Sequence, residues 1–133
     1  MGRSYALSRQ GQEVLTPVPG SVTHDWFNGV ATSGMAGGDV VTLGIALAAT
    51  KIYKCSLSTH NLALGATLNI RMYQTVNGVE RLFFDDYFNV GTDPVDLLPM
   101  NGLMAIYGPV RIEMSSDKLA DNGKSVDYEY LKA

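Results

Sequence analysis

Two histidines, one cysteine and a scatter of aspartates are the residues in this 133-residue chain that could do chemistry. His24 and Asp25 adjoin, and a hydrogen-bonded imidazole and carboxylate can act as base and orienter, but no nucleophile on a recognisable turn completes the set. Neighbours on an extended backbone also face opposite ways, so the pair reads as polar punctuation before two aromatic anchors, Trp26 and Phe27. His60 and the lone Cys55 do not make a zinc pattern with it. Asp85, Asp86, Asp93 and Asp96 supply the oxygens a hard cation wants; their spacing fails the helix-loop-helix template, and a solvated acidic rim is the simpler reading. The run Gly34-Met35-Ala36-Gly37-Gly38-Asp39 lacks the Lys-Ser/Thr ending of a phosphate loop. These residues point to no catalytic group, no metal and no cofactor, hence to a structural or binding protein rather than an enzyme.

The elements that would position such residues are strands. Leu68, Ile70 and Met72 alternate with Asn69 and Arg71, the period of a half-buried strand, and Asn77-Gly78 supplies two residues that tolerate positive φ for a two-residue primed turn. The stretch 66–87 is therefore a hairpin, with Tyr73 opposite Leu82 and Met72 opposite Phe83. In 51–58, Tyr53, Cys55 and Leu57 point one way and Lys54 and Ser56 the other, which makes Cys55 a small buried thiol. The run 39–50 fits period two and reads as a strand, although its alanines suit a short helix equally well. Leu62 and Leu64 plug an open end of the sheets. Strands also fit 95–100, 103–107, 110–115 and 126–131, with turn residues between them. Six to eight short strands at this spacing give an all-β domain, an antiparallel β-sandwich or jelly-roll-like barrel with an extended N-terminal arm.

The arm is residues 1–38 and the sandwich is 39–133. Pro17, Pro19 and a string of glycines make regular structure improbable across most of the arm. Yet it carries Tyr5, Leu7, Val14, Leu15, Trp26 and Phe27, too much apolar surface for a solvated tail, so these six are expected to anchor it on a partner. An ordinary leading strand and loop packed on its own sheet fits equally well.

Composition sets the outer limits. A chain of this length is one domain, able to bury about two thirds of the surface its unfolded form exposes. With 46% hydrophobic and 17% charged residues it is not disordered, and with a net charge of −3 and scattered Lys and Arg it shows no groove for nucleic acid. The apolar stretch 40–49 is about half the ~20 residues a membrane span requires. No secretory signal leads the sequence, pointing to a product made in a cytoplasm. Most aromatics should be core, but several facing water together, Tyr73 and Tyr107 among them, could alternatively form a sugar-stacking platform.

From Ile52 onward the order of signals resembles the small β-sandwich virion proteins of tailed bacteriophages. The residues that carry it are Ser56-Leu57-Ser58, then Leu62-Ala63-Leu64-Gly65-Ala66-Thr67-Leu68-Asn69-Ile70-Arg71-Met72-Tyr73, the turn into Arg81-Leu82-Phe83, Tyr107-Gly108-Pro109-Val110-Arg111-Ile112-Glu113-Met114, and the closing Asp127-Tyr128-Glu129-Tyr130. The resemblance covers about 80 residues and is one of strand order and loop type. It implies a decoration or cement protein on the capsid exterior, partnered by the major capsid protein and by copies of itself, with the trimer as the family's habit, without direct contact to nucleic acid or membrane. A carbohydrate-binding module on a virion surface and a tail or head-to-tail connector subunit are the alternatives.

Overall fold

The computed structural model describes residues 14–28 and 37–133. Eight strands fill most of this length: β1 (Thr16–His24), β2 (Gly38–Leu43), β3 (Ala49–Ser58), β4 (Thr67–Val76), β5 (Val79–Asn89), β6 (Asp96–Tyr107), β7 (Val110–Ser116) and β8 (Lys124–Lys132), with one 3-10 turn at Leu119–Asp121. They form two four-stranded sheets, ordered β1-β8-β3-β6 and β2-β7-β4-β5, and every strand pairing is antiparallel. The sheets pack together as the sequence analysis expects of an all-β sandwich. No helix among the described residues is long and apolar enough to cross a membrane.

Alternation decides which side of each strand is buried. Leu68, Ile70 and Met72 of β4 face Val110, Ile112 and Met114 of β7 along one sheet, while Ile52, Cys55 and Leu57 of β3 with Val126 of β8 line the other. Burial pushes the Cys55 thiol up to about 12, so at neutral pH it is a protonated packing group. Tyr53 does not share the inward face expected of it. The register of β3 shifts between Ile52 and Lys54, leaving Ile52 buried and Tyr53 half-buried.

The hairpin closes as its turn residues require: Asn77 and Gly78 both have positive φ, 51° and 77°. Tyr73 opposes Leu82, but Met72 opposes Phe84, because a bulge leaves Phe83 as an extra residue on β5. The run 39–50 is only partly strand, since β2 ends at Leu43 and a loop follows. Leu62 plugs the core, whereas Leu64 is 81% exposed. Segments expected as two short strands join into β6, across Pro99 and Gly102.

The expected division at 38/39 does not hold, because β1 belongs to the sandwich. It pairs with β8 over its full length, from Thr16 opposite Lys132 to His24 opposite Lys124. Pro17 and Pro19 are compatible with this because β1 is an edge strand, and their spacing of two puts both missing donors on one side of it. Gly20 leaves room for the Tyr128 ring, which a Cβ at that position would strike. Trp26 follows directly and is fully buried in the core. Replacing Trp26 by Ala should therefore cost about 3–5 kcal/mol of unfolding free energy, read as a lower urea midpoint with one cooperative transition. A midpoint unchanged by the substitution would contradict this packing.

Candidate interaction surface

One end of the sandwich is sealed by polar groups. The buried Asp121 carboxylate accepts the Ala63 N–H at 2.7 Å on Oδ1 and the Ser116 hydroxyl at 2.5 Å on Oδ2, and the Ser116 oxygen accepts the Lys118 N–H at 3.1 Å. Thr67 donates its N–H to Asp117 at 2.8 Å, and Thr59 donates both its N–H and hydroxyl to the Val95 carbonyl. Trp26 and Phe27 belong to this knot. The indole N–H donates to the Lys124 carbonyl at 2.8 Å, the Phe27 N–H donates to Asn122 Oδ1 at 2.8 Å, and Phe27 forms a bridge with Ser116. Trp26 is thus an anchor of its own core and not of a partner, because its ring is enclosed and its one donor is used. Phe27 is half-buried beside it. Of the other expected anchors, Val14 and Leu15 are exposed ahead of β1, and Tyr5 and Leu7 lie outside the described residues.

The histidines do not assemble with the groups the sequence placed beside them. His24 bonds through Nε2 to the Asp39 carbonyl at 2.9 Å and meets the Trp26 ring edge-on at 5.0 Å; its partner is not Asp25. His60 makes an arrangement that adjacency in sequence did not suggest: Nδ1 lies 2.9 Å from Ser58 Oγ and Nε2 lies 3.8 Å from Asp127 Oδ2. The second distance is too long for a hydrogen bond, and both side chains are about half exposed, where such a pair contributes little. Ser58 and Asp127 line a shallow trough of about 370 Å³ on the outer face of the first sheet, with Lys54, Ser56, Asp96, Leu98 and Glu129. Its polar lining can meet a hydroxyl-rich ligand. Among the described residues no three His, Cys, Asp or Glu side chains group as metal ligands.

The outer face of the second sheet is a charge network that crosses all four strands. Arg111 on β7 donates Nε and Nη2 to both oxygens of Glu80 on β5 at 3.0 and 2.8 Å, and Nη1 to Asp39 on β2 at 2.6 Å and to Glu113 at 3.0 Å. Its guanidinium lies 4.3 Å above the Tyr73 ring. Glu113 also takes Arg71 Nη2 at 2.7 Å and the Tyr73 hydroxyl at 3.1 Å. The bond from Arg111 holds the Glu80 carboxyl below its usual range, and burial, followed by Glu113, raises the Tyr73 phenol. Tyr73 is accordingly no free stacking platform, since its face is covered by a cation.

Among the described residues the opposite end of the sandwich has no comparable seal. There the loop 44–48 lies against the end of β6, with the Gly108 N–H donating to the Ala48 carbonyl at 2.9 Å and Ala49 paired with Tyr107. Ile45, Leu47 and Tyr107 are exposed on it. Val14 and Leu15 enter β1 at the same end, and Val76 and Val79 flank the hairpin turn there. Leu47 combines two costs: it is 84% exposed and its φ is +61°, in the left-handed region that a leucine rarely occupies. The left-handed conformation costs a leucine about 1 kcal/mol.

Because Glu80 has a depressed pKa in the fold, its bond to Arg111 adds stability that is present above the ordinary carboxylate range near 4.5 and lost as pH falls through the lower folded value. The stability gap between the protein and Arg111→Gln should accordingly narrow below pH 4.5 in thermal melts, and a gap that widens there would contradict the pairing. No family model, curated protein or solved structure matches the chain.

Proposed function

We propose that the chain is a virion structural protein, a decoration or cement protein that binds the outside of an assembled phage head and clamps neighbouring capsomers through protein–protein contacts. Its partners on this reading are the major capsid protein and copies of itself, with no direct contact to nucleic acid or membrane, and no reaction is assigned to it. The observation that carries the reading is the unsealed apolar end, with Leu47 held exposed in a strained conformation. Strand order supports it. We read β1-β8-β3-β6 packed on β2-β7-β4-β5 as an eight-stranded jelly roll, an arrangement that viral capsid domains share with lectins and cupins. Fold alone fixes no function, so the surface must do so.

The physics suits a clamp. Apolar side chains at the end of a rigid sandwich can be desolvated across a subunit seam, each contributing on the order of a few kcal/mol when fully enclosed. A connector in the tail or between head and tail would use the same end and differ in symmetry. The trough with Ser56, Ser58, Asp96, Asp127 and Glu129 favours a second reading, a carbohydrate-binding module, because hydroxyls and carboxylates there can meet sugar hydroxyls.

Mixing the protein with empty heads assembled without it should raise their resistance to heat and denaturant. Leu47→Gly should leave the isolated protein as stable, or up to about 1 kcal/mol more stable, while weakening head attachment strongly. Heads that neither bind the protein nor gain resistance would remove the cement reading. Glycan binding lost in a Ser58→Ala, Asp127→Asn variant, with no attachment to heads, would establish the second one.

A further inference from the structure

A sandwich has four sheet edges, and each leaves a row of backbone donors and acceptors unpaired. Here three of them are obstructed. β1 carries Pro17 and Pro19, β6 is interrupted at Pro99 and Gly102, and β2 is short and tied to the end of β1 by the bond from His24 to the Asp39 carbonyl. β5 is different. It runs eleven residues, Val79–Asn89, with no proline, glycine or lysine, and among the described residues no strand pairs with its outer side; at its last residue the Asn89 N–H donates to Asp93 Oδ2 and the Asn89 carbonyl accepts the Asp93 N–H. The Tyr87 N–H, which bonds its neighbour Asp86 at 2.8 Å, marks that free edge. Leu82, Phe83 and Tyr87 are exposed along it.

The charges on β5 select what can pair there. Arg81 opposes Gln74 and Asp86 opposes Ile70 on β4, so both point to the same side of the sheet, although residues five apart on a regular strand would point to opposite sides. The bulge at Phe83 is what brings them to one face. Arg81 makes no ion pair among the described residues. We propose that β5 is the docking edge for β5 of a second copy, paired antiparallel about a two-fold axis between Phe83 and Phe84. In that register each Arg81 lies across from the other copy's Asp86, and Glu80 lies across from Tyr87. Both faces match, and the symmetry forms the Arg–Asp pair twice. The two second sheets then continue as one eight-stranded sheet, with the phenylalanines of both copies meeting at the axis. Shifting the register by one residue in the direction that pairs Arg81 with Asp85 sets Glu80 against Asp86, so like charges oppose that slip. This association is two-fold rather than three-fold, and it stands whether or not the protein binds a phage head.

The test is the mass of the isolated full-length protein in solution across a concentration series, by light scattering and sedimentation. The protein should dimerise. Arg81→Asp and Asp86→Arg, both exposed positions, should each weaken dimerisation by roughly tenfold or more, since each sets like charges opposite one another twice. The double variant carrying both changes restores the pairs with reversed sense and should return to within about threefold of the original affinity. Circular dichroism and melting curves of the variants separate loss of pairing from loss of fold; if either single variant melts abnormally, Phe83→Asp replaces it. A monomer at every concentration, a trimer, a dimer indifferent to the single changes, or a double variant no better than the singles would each overturn the proposal.

Discussion

A buried carboxylate with both oxygens bonded holds one end of this sandwich together. Asp121 is shut off from bulk solvent, and its two oxygens are met by groups from different parts of the chain: the Ala63 N–H and the Ser116 hydroxyl. These bonds fix the loop 59–66 against the end of β7 and against the 3-10 turn before β8. Trp26 and Phe27 are then held by the same segment through the Lys124 carbonyl and the Asn122 side chain. This end is closed by directional bonds, whereas Ile45, the leucines, the valines and Tyr107 at the other end are exposed among the described residues.

The outer faces of the two sheets differ in what they could offer. On the second sheet Arg111 satisfies three carboxylates and covers Tyr73, so most donors there already have acceptors within the fold. Such a face is solvated and rigid, and a partner would have to break existing pairs to use it. On the first sheet the trough brings Lys54 together with Asp96, Asp127 and Glu129. Polarity alone therefore does not locate function on this molecule; what matters is which polar groups are already engaged.

Much of the strand pattern was legible because it rests on local rules. Leu68, Ile70 and Met72 alternate without exception, and Asn77-Gly78 has a single good conformation in a tight hairpin. Where those rules are interrupted the reading failed. Pro17 and Pro19 look like breakers until β1 is seen to be an edge, where a missing donor costs nothing. Phe83 and Tyr53 sit at register shifts, which the alternation of residue types does not mark. The candidate surface was legible only in part. Val14 and Leu15, named as anchors, are exposed, but Ile45 and Leu47 continue the alternation of β2 and so read as strand, and no glycine announces the positive φ of Leu47. Trp26 was misassigned because two adjacent aromatics, Trp26 and Phe27, flanked by polar residues carry no period from which the burial of one could be read.

The apolar end and the β5 edge constrain one another. β5 begins at that end, at Val79, and runs away from it, so an antiparallel β5 pair sends the apolar ends of its two copies in opposite directions. A β5-paired dimer could therefore link two protein surfaces that face each other, but it could not seat both ends on one flat shell. Cement that grips a shell by this end would act as a single copy or as one half of the pair, whereas a connector would use both halves at once. The direction of one edge strand thus separates two roles that the fold by itself leaves equivalent.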